Sequence, residues 1–441
     1  MTLAERSAKV LFIRVASLAV QVPVSIMIAR FLGVEGKGLY TLLTVVPWLV
    51  SFMLLGGMDT AHAYLLSSRR AGLKAVLIQS LLCVLVFSLA GIPIYLFLVV
   101  PRVIQVPAQV LLLVSALLIP LALSRYFVHA ILIGFERVVG MNFLQLVSAL
   151  SMLALIGVFL GLWNFGLIGA LVCFGVSQAL MLPLGLYWIA KNRRVDENPP
   201  RDNSEPGRKL KGLSLLGISL AYGLKGHLAG VMVTLNQRFD IFLLGALSTP
   251  REVGLYAVSV ALAEAVWHVP MTVQLILFPR TAAVGREKGA RMLPRACRMT
   301  LLLTLGLAIT LGVLGSPLIL FLYGKSFLPA VVPLIALLPG VVGMGIASVF
   351  GSYFAGVDRR HYQSISATAA FALCLVLNLV LIPKYGALGA ALASTASYLL
   401  QMVISLSLYR RLGELSYGNF FVPRLKDIED LIVTFKDMFK K

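Results

Sequence analysis

Apolar residues run through this chain in long blocks separated by short polar stretches, and the blocks are of membrane length. Crossing the hydrocarbon core takes a helix of about 20 apolar residues. Twelve such helices are expected, near 8–30, 39–58, 75–99, 108–133, 141–162, 165–189, 220–247, 253–278, 296–316, 327–355, 362–382 and 386–409. The expected fold class is an all-α polytopic membrane protein, with almost nothing left over for a soluble domain. An even number of spans puts both termini on one side.

Polar residues inside the apolar blocks carry the next layer of information. The stretch Ala221–Trp267 reads as two membrane helices, yet it contains Lys225, His227, Arg238, Asp240 and Glu264. A charge at the centre of a bilayer costs a few kcal/mol even on lenient scales, so such groups face a bundle interior or a wet cavity. This region is expected to form half of a polar chamber.

The chain also repeats itself. FLGVEGKGLY at Phe31–Tyr40 returns as LLGALSTPREVGLY at Leu243–Tyr256, GFER at Gly134–Arg137 as GVDR at Gly356–Arg359, and GLIGA at Gly166–Ala170 as GALGA at Gly386–Ala390. Three matches in order, at nearly one offset, point to a duplicated six-helix unit. The organisation expected is an N-terminal six-helix lobe at 1–190, a cytoplasmic linker at 191–212, a C-terminal six-helix lobe at 213–410 and a cytoplasmic tail at 411–441. The linker is rich in proline and in charges of both signs. In the tail, Phe421, Leu425, Ile428, Ile432, Phe435 and Phe439 recur at steps of three and four among Lys and Asp, the pattern of an amphipathic helix lying in the headgroup region.

Composition and charge agree with this picture. Of 441 residues, 59% are apolar and only 13% charged, against roughly 25% charged in soluble domains. The net charge of +20 is spread over alternate connections rather than gathered on one face, which argues against a nucleic-acid partner. Arg69, Arg70, Arg137, the linker and the 280–295 connection lie on one side, whereas the opposite connections carry only Arg30, Lys37, Arg102, Arg251, Lys325 and Lys384. The positive-inside rule then places both termini in the cytoplasm. Cys83, Cys173, Cys297 and Cys374 have no metal-ligand or disulfide spacing.

Candidate chemistry follows from the intramembrane charges. Arg14 and Lys225 occupy nearly matching positions in the two repeats, and each heads a polar stripe: Arg14, Ser17, Gln21 and Ser25 in one, Lys225, Asn236 and Asp240 in the other. Arg125 and His129 lie one turn apart on the fourth helix. Cations from three helices would suit an anionic headgroup, Arg through its bidentate fork and Lys as a point charge. Asp240, Glu264 and Asp59 are the candidates for ion coupling, although Asp240 could equally pair with Arg238 or Lys225. No cofactor or metal site is expected, and a transported Na+ or H+ would be the only ion. With no P-loop, HExxH or GxSxG motif, and no external connection long enough for a catalytic domain, an enzyme is not expected.

The motifs ARFLGVEGKGLY (Ala29–Tyr40), YGLKGHL with LNQRFDIFLLG and VGLYAVSVALAE (Tyr222–Glu264), and LFPR (Leu277–Arg280) resemble the bacterial polysaccharide-biosynthesis branch of the multidrug/oligosaccharidyl-lipid/polysaccharide exporter superfamily, the Wzx-type oligosaccharide flippases. The resemblance covers roughly Val10 to Leu408. It implies two pseudo-symmetric bundles in a MATE-like fold. The implied activity is alternating-access transfer of a polyprenyl-pyrophosphate-linked oligosaccharide from the cytoplasmic to the external leaflet of a bacterial cytoplasmic membrane. In that frame Arg14, Arg125 and Lys225 would hold the pyrophosphate, while Gln21, Asn236, Arg238 and Asp240 would line the sugar chamber. The partners implied are the lipid-linked oligosaccharide and membrane lipid, with a polysaccharide polymerase or glycosyltransferases as protein partners. A cation-coupled multidrug exporter of the same fold is the alternative.

Overall fold

The computed structural model describes residues 3–104, 108–191, 212–412 and 418–422; among them the fold is helical, without a β-strand. Among the described residues nine helices are long and apolar enough to cross a membrane, and the bent helix Gly212–Leu247 makes a tenth. Two of the long helices, and the even longer Pro250–Leu322, are interrupted at one glycine each. Leu3–Leu54 breaks at Gly33 (φ 68°, ψ −173°), Pro250–Leu322 at Gly285 (φ 77°, ψ −177°) and Arg360–Arg411 at Gly386 (φ 52°, ψ −127°). A positive φ combined with extended ψ is open essentially only to glycine. Divided at these three residues, the long helices correspond to the expected pairs 8–30 and 39–58, 253–278 and 296–316, and 362–382 and 386–409.

Several expected connections turn out to be helix. The second helix follows directly on Gly33, and residues 280–295, expected as a charged loop, continue the helices on either side of Gly285. The reason is a buried apolar stripe: Leu277, Ala290, Leu293 and Cys297 pack with Phe350, Tyr353 and Tyr409 while the basic residues between them stay on the other face. Helix Leu3–Leu54 ends in a turn through Gly56 and Gly57, both left-handed, before Met58–Ser67 resumes.

Outward faces carry large apolar residues, among them Phe12, Leu81, Leu89, Phe97, Val313 and Phe321. A soluble protein hides such groups; here they form the lipid-facing surface of a multi-pass membrane protein.

Two compact units divide the chain, Met1–Val231 and Met232–Lys441. The first therefore extends past the linker and takes in the start of helix Gly212–Leu247. That start is tightly packed: a Cβ at Gly223 would lie 2.7 Å from the carbonyl group of Gly57, Tyr222 stacks on Tyr64 at 4.5 Å, and His227 Nε2 lies 3.3 Å from the Met53 carbonyl oxygen.

The internal repeat is written in the backbone. Glu136 and Asp358, the acidic residues of GFER and GVDR, both have φ of 59°. Arg137 N–H donates to the Leu132 carbonyl and Glu136 N–H to that of Ile133; Arg359 N–H donates to Phe354 and Asp358 N–H to Ala355 in the same pattern. Each is a left-handed helix stop that satisfies two terminal carbonyls. Gly166 and Gly386, which open GLIGA and GALGA, likewise both have positive φ.

Of the expected tail, the short turn Gly418–Phe421 is seen, with Phe420 buried against Phe350 and Tyr409. The amphipathic pattern from Leu425 to Phe439 and the charged linker at 192–211 lie outside the described residues.

Candidate functional site: a cationic cavity and a buried acidic cluster

The first unit contains a cavity of about 430 Å³. Its polar lining is Gln21 and Ser25 from the first helix, Lys37 from the second, Arg125 from Leu118–Gly134, Gln145 and Ser148 from Val138–Ile156, and Ser177 and Gln178 from Gly166–Ala179. None of the lining residues is acidic. The break at Gly33 produces this arrangement by folding the second helix back on the first, so that Lys37 Nζ comes 3.3 Å from Ser25 Oγ and 5.7 Å from the Tyr40 ring. Lys37 is only 7% exposed. The Arg125 guanidinium lies over the Tyr126 ring at 5.4 Å, a cation–π contact.

The residues expected around a headgroup are distributed unevenly. Arg125 and Gln21 share the cavity. Arg14 lies outside its lining, where Nε donates to Asn142 Oδ1 at 2.9 Å and Asn142 in turn donates to the Val138 carbonyl. Lys225 is exposed and also outside the lining. His129 is half-buried, and its Nε2 has no hydrogen-bond partner among the described residues. Lys37, expected in an external connection, is instead the cavity's second cation.

The second unit treats its charges differently. Asp240 is 2% exposed and densely hydrogen-bonded: Tyr256 Oη donates to Oδ2, Ser394 Oγ donates to the same oxygen at 3.0 Å, and Ile241 N–H donates to Oδ1 at 2.7 Å. Arg238 pairs with Glu264, Nη2 to Oε1 at 2.6 Å, so the ion pair forms with Glu264 and Asp240 is held by hydroxyls and backbone. Asn236, fully buried, donates to Gln401 Oε1 at 3.1 Å. Each of the two carboxylate oxygens therefore has at least one donor. Asp59 is not in the cavity lining; it is half-buried in the first turn of Met58–Ser67, where the helix dipole favours an acid. Among the described residues no group of three or more His, Cys, Asp or Glu could hold a metal ion, and the four cysteines are free and buried.

A model of the polysaccharide biosynthesis protein family matches residues 26–332. The chain belongs to that family. Among solved structures, the lipid II flippase MurJ in an inward closed conformation superposes with a TM-score of 0.75 at 16% identity, covering 99% of this chain and 93% of that one. An inward-facing multidrug resistance MATE transporter of the MOP superfamily gives 0.64 at 15% identity, over 90% and 94%. A MOP superfamily transporter from Pyrococcus furiosus, described as having a binding pocket of reverse polarity that suggests a different function, gives 0.61 at 14% identity, over 92% and 94%. A sequence search of curated proteins returned no match. At these identities the likeness establishes a shared fold, and the proteins sharing it are flippases and transporters, not enzymes.

Within this member of the polysaccharide biosynthesis family, several site residues escape sequence reasoning. Tyr256, Ser394, Gln401, Gln145 and Gln178 are ordinary polar residues in apolar helices until packing brings them together. Lys37 had a usable signal. Lys37, Tyr40, Thr41 and Thr44 recur at helical spacing, which places the lysine on a polar face of the second helix rather than in a turn.

Proposed function

We propose that this protein is a flippase of the bacterial cytoplasmic membrane, with both termini in the cytoplasm, that moves a polyprenyl-pyrophosphate-linked oligosaccharide to the external leaflet for surface polysaccharide synthesis. The observation that carries this reading is the acid-free cavity of the first unit, with Lys37 and Arg125 in its wall, in a member of a polysaccharide biosynthesis family that has the fold of a lipid II flippase. The buried Lys37 and half-buried Arg125 facing an open cavity would suit an anion, and a lipid-linked glycan brings one in its pyrophosphate. Of the residues expected to hold the headgroup, Arg125 lines this cavity together with Lys37, while Arg14 and Lys225 lie outside its lining and would meet the headgroup on its way in. Gln21 and His129, in the same unit, would meet the remainder of the substrate, and Glu264 and Asp59 are the candidates for coupling to a Na+ or H+ gradient, Asp240 being taken up by its hydrogen-bond network. A polymerase and glycosyltransferases would act on the same glycan.

The test is loss of surface polysaccharide in cells whose only copy carries Arg14→Gln, Arg125→Gln and Lys225→Gln, with membrane levels of the protein unchanged. Normal polymer from the triple variant rejects the headgroup assignment. A second reading, a cation-coupled multidrug exporter, is favoured by the MATE neighbours. It predicts drug resistance with no glycan defect, and it wants an acidic cavity where this one is cationic.

A further inference from the structure

We propose that a groove on the lipid-facing side of the first unit holds a glycerophospholipid that is not the cargo, with its phosphate at Lys74 and an acyl-ester carbonyl at Gln79. The groove has a volume of about 820 Å³ and lies between helix Leu73–Pro93 and the start of helix Gly212–Leu247. Ile78, Leu82 and Val86 from the first helix and Leu213, Leu216 and Leu220 from the second form its walls, all of them exposed. None of the lining residues is acidic. Leu215 is buried in one cluster with Leu73 and Val76, so the two helices start at the same end of the groove, the end that carries Lys74. In the orientation proposed above, that end faces the cytoplasmic leaflet.

Polar groups at two depths select the occupant. Lys74 is exposed in the first turn of its helix, where an ammonium serves a phosphate as a point charge. Gln79 lines the groove and is only 7% exposed. His62 is near enough to act on the Gln79 amide, yet neither Nε2 nor Oε1 of Gln79 completes a hydrogen bond among the described residues. Nε2 of His62 is likewise without one, while its Nδ1 lies 3.0 Å from Ser80 Oγ. A buried amide in that state is costly, and a ligand with an acceptor at that depth removes the cost. Gln79 lies five residues past Lys74, about 7.5 Å along the helix, a span comparable to the glycerol unit between the phosphate and the acyl esters of a phospholipid. Phe87, the most distant lining residue on this helix, is about 12 Å beyond Gln79, which fits within the apolar layer of one leaflet, half of a core about 30 Å thick. A polyprenyl chain places hydrocarbon directly after its phosphates and leaves the Gln79 amide without a partner, which sets this site apart from one for the cargo.

The experiment is native mass spectrometry of the full chain, delipidated in detergent, with three probes: dioleoyl phosphatidylglycerol, its diether analogue and undecaprenyl phosphate. Wild type is expected to retain a single ester lipid about fivefold more tightly than the diether, the worth of one hydrogen bond. Gln79→Leu should bring that ratio close to one. Lys74→Gln, at an exposed position, should weaken ester and diether alike by a fewfold and keep the ratio. Equal retention of the two lipids by wild type, an unchanged ratio in Gln79→Leu, or undiminished binding in Lys74→Gln overturns the proposal. Should Gln79→Leu fail to fold, Leu216→Trp fills the groove from the opposite wall and is expected to abolish retention of the single lipid; unchanged retention overturns the proposal. Tighter retention of undecaprenyl phosphate in competition for the same site would make the groove part of the cargo's path, and a graded series of bound lipids without saturation would mark an annular layer only; either result overturns it. The assay reads no transport, so the flippase reading stands or falls by the polysaccharide test above.

Discussion

The two units place tyrosines at matching positions and surround them with opposite chemistry. Tyr40 and Tyr256 both close the Gly-Leu-Tyr motif, and Phe174 and Ser394 both stand eight residues beyond a positive-φ glycine, Gly166 or Gly386. In the first unit Tyr40 meets Phe174 edge to face at 6.3 Å and leaves the nearby Lys37 ammonium facing a cavity. In the second, Tyr256 donates to Asp240 and lies 3.3 Å from Ser394 Oγ, closing a network around one carboxylate oxygen. A duplicated scaffold thus keeps its backbone while one copy lines a cavity and the other closes a hydrogen-bond network. Charges that are satisfied inside the protein stabilise it; charges left for a ligand cost stability until the ligand arrives.

Thermal melting and transport should therefore separate across the two units. The largest effect is expected for Asp240→Ala, which strands the buried Tyr256 and Ser394 hydroxyls and should cost about 3 kcal/mol, read as a lower melting temperature in detergent. A variant that melts like wild type would mean the network does not stabilise the fold. Lys37→Met should move the other way. Removing a buried ammonium that has no counter-ion in the cavity wall should raise stability by about 1 kcal/mol, while glycan transfer falls at least tenfold; destabilisation would place Lys37 among structural residues and erase the contrast.

Smaller effects sharpen the same comparison. Arg238 and Glu264 form an ion pair with side chains 32% and 45% exposed, so solvent screens it. Arg238→Ala should cost less than about 1 kcal/mol, and a loss as large as that of Asp240→Ala would show the pair to be part of the network. The least change is expected at Asp358, whose left-handed φ glycine adopts without strain. Asp358→Gly should be stabilising by about 0.5 kcal/mol, with transport unaltered; destabilisation would reveal a role for the carboxylate beyond the turn.

Much of the scaffold was legible because bilayer physics leaves few choices. Apolar blocks of membrane length must be helices, since no other open segment satisfies its backbone in lipid, and the GFER and GVDR stops appear where the repeat puts them. The connection at 280–295 was misread for a specific reason. Its basic residues mask the stripe Leu277, Ala290, Leu293 and Cys297, whose burial depends on Phe350, Tyr353 and Tyr409, between 53 and 132 residues further along the chain. Lys37 was misread because Gly33 turns the chain within a single residue, so a lysine assigned to a connection is already inside a helix.

What the amino-acid order determined by itself is the class of molecule: apolar blocks of bilayer length, a duplicated unit, and charges confined to a handful of intramembrane positions. What only the tertiary structure decided is how those charges are spent. Whether a cation faces a carboxylate, as Arg238 does, or an open cavity, as Lys37 does, depends on which helix packs beside it, and that neighbour is set by burial over the whole unit rather than by any local run of residues.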